Sequence, residues 1–231
     1  MQKFSRRYKE IKNKLKNIKY SNLEEALIFL KQLTPPTKFI ETFECHINLN
    51  TNSKDLNQQI RATTILPYGN GKILRIAALV TQEDFINTRL AGIDIIGNDD
   101  LIEKIKNKKI NFDLLLTTPS IMPKLAKLGK ILGPKGLMPS LKSGTITNNL
   151  EVTLNEFRQG KIEYKTDKNG IIHISFGKSN FKINQLIDNL TVLYKSIEQN
   201  KPSKIKGKFF KTIYICSTMS PSIKLDLNFF K

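Results

Sequence analysis

Hydrophobic and polar residues follow three successive patterns along the chain of 231 residues. Over residues 3–19, and again from residue 23 onward, apolar side chains recur every three or four positions, which predicts two helices. The second helix begins at the capping-box sequence Ser21–Glu24. Residues 39–49 then alternate with period two, which predicts a strand at a surface. One side of this strand, mostly apolar, carries Phe39, Glu41, Phe43, Cys45, Ile47 and Leu49, and the other carries Ile40, Thr42, Glu44, His46 and Asn48.

The middle of the chain has a different pattern, in which short apolar runs alternate with helical segments. The runs KILRIAALV, IDII and DLLLT predict strands, and the segments EDFINTRLA, DDLIEKIKN and IMPKLAKLG predict helices. This alternation is typical of a small α/β unit whose sheet is covered on both faces. We therefore expect a separate domain in this part of the chain.

After Gly160 the alternation of apolar and polar residues seen in the first strand returns. The segment KIEYKTDKNGIIHISFG predicts a hairpin whose turn is Asp167–Gly170, and a helix over 183–198 and a final strand, FFKTIYICSTM, follow. Two segments with the same period-two pattern flank a middle segment in which strands alternate with helices, and this arrangement indicates an inserted domain. We predict an α/β protein with a discontinuous outer domain, residues 1–69 and 159–231, and an inserted domain, residues 70–158.

The charge points to a polyanionic partner. The chain has 38 Lys and Arg against 20 Asp and Glu, a formal net charge of +18, which suits nucleic acid or an anionic membrane surface. Residues 70–158 carry 13 basic and 9 acidic side chains, and the rest of the chain carries 25 and 11. A polyanion should therefore bind chiefly the outer domain. No apolar run approaches the roughly 18 residues that span a bilayer, so we expect no membrane-spanning segment, and docking on an anionic membrane surface is the less favoured explanation of the charge.

Cysteine and histidine offer no metal site by their spacing. Cys45 and Cys216 each lie in an apolar-alternating run and are expected to be small buried hydrophobes rather than a disulfide or metal pair. His46 and His173 do not complete a cluster with ligand spacing. We expect no metal and no cofactor.

The stretch GKILGPKGLMPSLKSGT, residues 129–145, is rich in glycine and lysine and has no acidic residue. A Walker phosphate loop requires G-x-x-x-x-G-K-[ST], and here the spacing is wrong and no Ser or Thr follows Lys135. The run KILRIAALV is not followed by a dinucleotide-binding glycine fingerprint. An enzyme that uses a nucleotide is therefore disfavoured, and we expect no catalytic residues.

The longer run IMPKLAKLGKILGPKGLMPSLKSGTIT, residues 121–147, closely resembles the signature of the ribosomal protein L-one family. Proteins of this family form the mobile stalk of the large ribosomal subunit beside the tRNA exit site. Four further segments fall in that family's order, so the resemblance covers nearly the whole chain. They are KFIETFE, LPYGNGK, GKIEYKTDKNGIIHISFGKSNF and STMSP.

The resemblance implies an architecture and a function. It implies an α+β outer domain with an antiparallel sheet that binds large-subunit ribosomal RNA. The inserted domain would be a Rossmann-like, three-layer α/β domain, joined through a hinge at Gly69, Gly71 and Gly160. The stalk would move as deacylated tRNA leaves the exit site, and the protein would also repress translation of its own mRNA. The stretch at residues 129–145 would then be mainly a structural turn with a basic face.

The resemblance also assigns RNA contacts to three segments. Phe39 suits stacking on a base as well as a core position, and Asp167 suits either a 2′-hydroxyl contact or a turn-holding role. Ser220 stands where the family usually has glycine, which alters the approach of the backbone to RNA. The full set is Phe39 and Thr42 on the first strand, Asp167, Lys168 and Gly170 at the turn, and Thr218, Met219 and Ser220 after the last strand.

Composition bears on the compartment. Lysine supplies 32 of the 38 basic residues, and asparagine and isoleucine are abundant, which suggests an AT-rich genome. No transit peptide precedes the family's usual start, so the protein is expected to work where it is made. A plastid (chloroplast) ribosome is the first expectation, and a bacterial cytoplasm is the alternative.

Overall fold

The computed structural model describes residues 5–15, 23–33, 38–51, 59–81, 92–107, 109–203, 205 and 207–230. The chain forms two compact units. The outer unit is built from Met1–Gly71 and Ile162–Lys231, and the inserted unit is Lys72–Lys161. The predicted domain limits lie two residues from the first boundary and three from the second.

The outer unit combines helices with an antiparallel sheet. The helices are α1 (Arg6–Leu15), α2 (Leu23–Leu33) and α7 (Ile183–Gln199). The strands are β1 (Thr42–Leu49), β2 (Arg61–Ile65), β6 (Lys161–Lys165), β7 (Ile171–Lys178), β8 (Phe210–Ser217) and β9 (Ile223–Leu225). The sheet has four strands in the order β7–β1–β8–β9, and β2 and β6 form a separate two-stranded sheet.

One face of the four-stranded sheet forms the core of the outer unit. Along β1 every second residue is buried, and the same is true of most of β7 and β8. These side chains pack with apolar residues of α2 and α7. The core includes Phe43, Cys45, Ile47, Leu49, Ile172, Ile174, Phe176, Ile213 and Ile215 from the sheet, and Leu27, Leu30, Leu186, Leu190 and Leu193 from the helices.

The inserted unit is a parallel α/β fold. Its strands β3 (Ile76–Leu79), β4 (Ile95–Gly97) and β5 (Leu114–Thr117) pair in parallel in the order β4–β3–β5. Successive residues of β3 enter two different apolar clusters, so both sheet faces are covered. The helices are α3 (Asp99–Lys106), α4 (Met122–Ala126), α5 (Gly129–Leu132) and α6 (Leu150–Gln159). With the mixed outer unit, this confirms the α/β fold class.

The predicted hairpin around Asp167–Gly170 is only partly correct. The turn is present, but β6 pairs with β2, and a single bridge joins Thr166 to Ile172 of β7. Strand β7 instead pairs along its length with β1. The two strands that flank a tight turn therefore belong to different sheets.

Parts of two predicted helices lie beyond the residues that the structure describes. The capping-box residues Ser21 and Asn22, and the predicted helix EDFINTRLA, lie outside the described residues. Within the described part of the chain, no helix is long and apolar enough to cross a bilayer.

Candidate nucleic-acid interface

The outer sheet has a second face that carries polar side chains and is not covered by α2 or α7. This open face contains Thr42, Glu44, His46 and Asn48 of β1, all half-buried. The register places Lys178, Ser175, His173 and Ile171 of β7 beside them in that order. On the other side, β8 contributes Cys216, Tyr214 and Thr212. Polar side chains on a rigid sheet suit recognition of structured RNA, which depends on shape, backbone and 2′-hydroxyl contacts.

Thr42 and Thr218 meet at one end of the open face. The Thr42 N–H donates to Thr218 Oγ1 at 3.0 Å, the Thr218 N–H donates to the Thr42 carbonyl at 3.0 Å, and Thr218 Oγ1 lies 3.3 Å from that carbonyl. Lys178 Nζ donates to Thr42 Oγ1 at 2.7 Å. A hydroxyl has one donor and two acceptor sites, so Thr42 keeps its donor for a ligand, whereas Thr218 mainly fixes the geometry.

The backbone that leads into this end is held by Glu41, which the sequence assignment omitted. Glu41 is buried, and its Oε2 accepts the Met219 N–H at 3.4 Å. Its carbonyl accepts the Ser179 N–H at 2.9 Å. A buried carboxylate is stable only when donors surround it, so Glu41 orders the residues around it.

Phe39 and Met219 are half-exposed, with 51% and 52% of their surface accessible. The alternative that Phe39 is a core residue is therefore wrong. The reason is local, because β1 begins only at Thr42 and the alternation of the strand does not extend back to residue 39. Exposed aromatic and thioether side chains beside a polar face suit contact with a base or a sugar.

Ser220 closes a turn after β8. Its N–H donates to the Ser217 carbonyl at 3.1 Å, and its Oγ accepts the Ser217 N–H at 2.9 Å. The serine side chain thus bonds back to its own turn. It occupies the space in which the glycine usual in the family would leave the backbone open.

The Asp167 turn lies at the opposite end of the same sheet. Asp167 Oδ1 accepts the N–H of Asn169 at 2.8 Å and of Ile171 at 2.7 Å. Desolvation raises the pKa of Asp167, but these two backbone bonds, with His173, outweigh it and hold the pKa below its ordinary value. Asp167 therefore holds the turn.

Gly170 and Lys168 complete this end. Gly170 has φ of +76°, and an added Cβ would lie 2.5 Å from Thr51 Oγ1, so only glycine fits there without strain. The Gly170 carbonyl accepts the N–H of Leu49, the last residue of β1. Lys168 is exposed at the tip of the turn. A cation at this position is available to a phosphate group.

The predicted contact residues thus form two groups rather than one. Six residue steps along β1 separate Thr42 from Asn48, which corresponds to about 20 Å. The middle of the open face lies between them and holds residues that the sequence assignment missed. His46 Nδ1 lies 2.9 Å from His173 Nδ1, and Tyr214 is the neighbour of His46 on β8. The signal that would have found them is the polar half of the alternation in β1, β7 and β8.

The three predicted hinge glycines have positive φ. The angles are 64° at Gly69, 75° at Gly71 and 109° at Gly160. Gly69 is held by buried Asn189 of α7, whose Nδ2 donates to the Gly69 carbonyl at 2.8 Å. The Gly160 N–H donates to the Phe157 carbonyl at 3.2 Å at the end of α6. These glycines lie close to the boundaries of the two units, and movement about them stays a prediction.

The glycine-rich stretch of the inserted unit is stabilised by its own polar side chains. Thr145 Oγ1 accepts the Ser140 N–H at 2.8 Å, and Ser143 Oγ lies 2.9 Å from Thr145 Oγ1. The Thr117 N–H of β5 donates to the Thr145 carbonyl at 3.0 Å. Because the buried hydroxyls bond within the turn, this arrangement is a structural turn rather than a phosphate cradle.

Comparison with known proteins agrees with the resemblance noted in the sequence. The family described as Ribosomal protein L1p/L10e matches residues 30–221. The chain is 57% identical to the "Large ribosomal subunit protein uL1c" of Phaeodactylum tricornutum, with 100% of each chain covered. It is 48% identical to the uL1c of Guillardia theta, with 100% of this chain and 98% of that protein covered. It is 45% identical to the "Large ribosomal subunit protein uL1" of Prochlorococcus marinus, with 99% of this chain and 96% of that protein covered.

These relatives also bear on the compartment and on catalysis. The name uL1c denotes the plastid form, and its occurrence among the algal relatives confirms the expectation of a plastid ribosome. The family consists of structural rather than enzymatic proteins, which confirms that this protein is not an enzyme. A family match over residues 30–221, together with relatives identical at about half of all positions over the full chain, establishes that the chain belongs to the ribosomal protein L1 family.

Proposed function

We propose that this structural constituent of the ribosome belongs to the large subunit and binds large-subunit ribosomal RNA through the open face of its outer sheet. The observation that carries the proposal is the polar face that α2 and α7 leave open, which has an ordered group of candidate contacts at each end. The Thr42–Thr218 pair stands at one end and the Asp167 turn at the other. Both groups are fixed by hydrogen bonds, so binding requires little ordering of the protein.

Charge supports RNA as the ligand of this face. Lys168 lies at the turn, Lys178 beside Thr42 and Lys224 beside Tyr214. Lysines at both ends and at one edge can pair with successive phosphates, while hydroxyl groups of the sheet bond 2′-hydroxyls. An anionic membrane would use the same lysines, but it has no use for ordered threonine hydroxyls. RNA is therefore the better ligand.

We further propose the role that the family resemblance implies for the whole molecule. The outer unit anchors on ribosomal RNA, and the inserted unit moves about Gly69, Gly71 and Gly160 as deacylated tRNA leaves the exit site. The protein also binds a similar fold in its own mRNA and represses translation. Small-angle scattering that gives one rigid shape in every solution condition, with and without RNA, would count against the hinge.

The RNA proposal is tested by measuring affinity for a stalk fragment of large-subunit RNA and for an unrelated hairpin at rising salt. Phe39→Ala removes an exposed side chain, and loss of base stacking should cost about 1–3 kcal/mol of binding. Thr218→Ala removes the hydroxyl that orders Thr42 and should weaken stalk-RNA binding roughly tenfold, about 1.4 kcal/mol. Ile73→Ala removes a more exposed apolar side chain from the inserted unit and is the matched control.

The outcomes separate specific recognition from general attraction. The proposal expects a preference for the stalk fragment that persists in salt and that both outer-unit substitutions reduce, with Ile73→Ala unchanged. Equal, salt-labile binding to both RNAs by all four proteins would show that only net charge attracts RNA, and the open face would then have no special role.

A further inference from the structure

The middle of the open face holds three side chains whose donor atoms point to a common position. Glu44 and His46 lie two residues apart on β1, on the same side of the strand, and Cys216 is paired with Glu44 on β8. A carboxylate oxygen, an imidazole nitrogen and the thiol sulfur all lie within 4.8 Å of one another. All three residues are half-buried, so an ion could enter from solvent.

The distances match those of a coordinated metal. His46 Nε2 lies 3.3 Å from Cys216 Sγ. In a tetrahedral zinc site, with Zn–N near 2.0 Å and Zn–S near 2.3 Å, the nitrogen and sulfur are about 3.5 Å apart. Side-chain shifts of a few tenths of an ångström would therefore suffice to bring the donors around one ion.

A second layer of side chains holds His46 in the form that a metal needs. The other ring nitrogen of His46, Nδ1, lies 2.9 Å from Nδ1 of His173, and His173 Nε2 lies 3.4 Å from Asp167 Oδ2. If His173 Nε2 donates to Asp167, His173 Nδ1 is an acceptor, and it accepts a hydrogen bond from the N–H at His46 Nδ1. His46 Nε2 is then left with a lone pair directed toward Cys216. In zinc sites the other ring nitrogen of a ligating imidazole usually donates to a carboxylate, a carbonyl or water. Here His173 takes that place, and Asp167 orients His173 in turn.

We propose that Glu44, His46 and Cys216 form a site for a zinc ion, with the fourth coordination position open to water or another ligand. One carboxylate, one imidazole and one thiolate make a mixed oxygen, nitrogen and sulfur donor set that suits zinc and does not suit magnesium or calcium. The inference rests on the geometry of the free protein and is independent of the RNA proposal.

Binding has a proton balance that follows from the surroundings of the thiol. Burial, followed by the charge of Glu44, raises the pKa of Cys216 to about 11, so the thiol is protonated at neutral pH. Zinc binding therefore forms a Zn–S bond, breaks the S–H bond and releases one proton to solvent. Burial and then His173 lower the pKa of His46, which keeps its imidazole neutral and ready to coordinate.

Cobalt(II) is the probe for the test because it replaces zinc and gives a thiolate charge-transfer band when bound to cysteine. The reduced, RNA-free, full-length protein is titrated with cobalt and then with zinc. Cys45→Ala is the matched control, since Cys45 is buried on the opposite face of β1. We expect the band in the wild type and in Cys45→Ala, its removal by zinc, and its absence in Cys216→Ala.

Two variants test the remaining parts of the site. Glu44→Gln should weaken cobalt binding, and His173→Ala should weaken it roughly 10–100-fold although His173 touches no metal. Circular dichroism verifies the fold of each variant. The proposal is overturned by the absence of a band in the wild type, by a band that persists in Cys216→Ala, or by equal cobalt affinity in the wild type, Glu44→Gln and His173→Ala. RNA affinity plays no part in these measurements, so failure of the RNA proposal is a separate result.

Discussion

Asn189 offers the sharpest stability prediction, because a single buried amide fixes the segment that contains Gly69. Its Oδ1 accepts the Tyr68 N–H at 3.2 Å, and its Nδ2 donates to the carbonyls of Gly69 at 2.8 Å and Phe176 at 2.9 Å. The side chain is fully buried. Replacement by alanine removes all three bonds and leaves the backbone partners without them.

The expected magnitude follows from these contacts. Each hydrogen bond contributes about 1 kcal/mol, and a buried group without its partner costs about 1–3 kcal/mol, so Asn189→Ala should lower the free energy of unfolding by roughly 2–4 kcal/mol. The control is Thr191→Ala on the same helix. Among the described residues, its hydroxyl donates only to the Ile187 carbonyl, one helical turn back, and its loss should cost less than about 0.5 kcal/mol.

Two measurements check the prediction. Urea denaturation followed by circular dichroism gives the loss of stability, and hydrogen exchange at the Tyr68 amide reports the local bond. We expect faster exchange at Tyr68 in Asn189→Ala and unchanged exchange in Thr191→Ala. A stability loss below about 0.5 kcal/mol with Tyr68 still protected would refute the role assigned to Asn189.

Three further predictions concern the outer unit. Gly71→Ala should destabilise the protein by more than the roughly 1–2 kcal/mol of a left-handed backbone, because the new Cβ would lie 2.5 Å from Lys178 Cγ. Gly207→Ala is the control: its φ is +81°, and among the described residues other than its chain neighbours nothing lies within 4 Å of the new Cβ, so urea denaturation should show the backbone cost alone. The pKa of Asp167 is lowered in the folded protein, so the carboxylate adds to the free energy of unfolding above its ordinary pKa of 3.8, and this contribution is lost as pH falls through the folded pKa. The stability advantage of the wild type over Asp167→Asn should therefore vanish on acidification. An advantage that grows would contradict the turn-holding role of Asp167. Lys178→Met should reduce stalk-RNA affinity and the salt dependence of binding together, because it removes the bond to Thr42 Oγ1 and the phosphate contact that we propose for this lysine. An unchanged salt slope would argue against the phosphate contact.

The sequence predicts the sheet faces well because they depend on a local rule. Burial alternates along β1 from Thr42 to Leu49 as the hydrophobic pattern requires. The pattern failed at Phe39, where the chain has not yet entered the strand, and at Cys216, which is half-buried on the polar face rather than a core residue. One position at a strand end, or one small side chain in an apolar run, carries too little information to decide its side.

Contacts between distant strands are the part that the sequence does not reveal. Thr42 and Thr218 are separated by 176 residues, and only the β1–β8 register brings them together. The same register brings Cys216 to Glu44 and His46, so a search for ligand spacing within short segments could not find that cluster. The hairpin prediction failed for a related reason, since the pairing of β6 with β2 depends on partners elsewhere in the chain.

We propose that the open face of the outer sheet binds ribosomal RNA, and lysine-labelling footprints would locate the RNA on the protein. The full-length protein is labelled with and without the stalk RNA fragment at moderate salt, and modification of each lysine is measured by mass spectrometry. We expect protection of Lys168, Lys178 and Lys224 on or beside the open face, with no change at exposed Lys195 on α7, which covers the other face. Protection of Lys195 with continued labelling of the three open-face lysines would place the RNA on another surface and rule out the open face as its binding site.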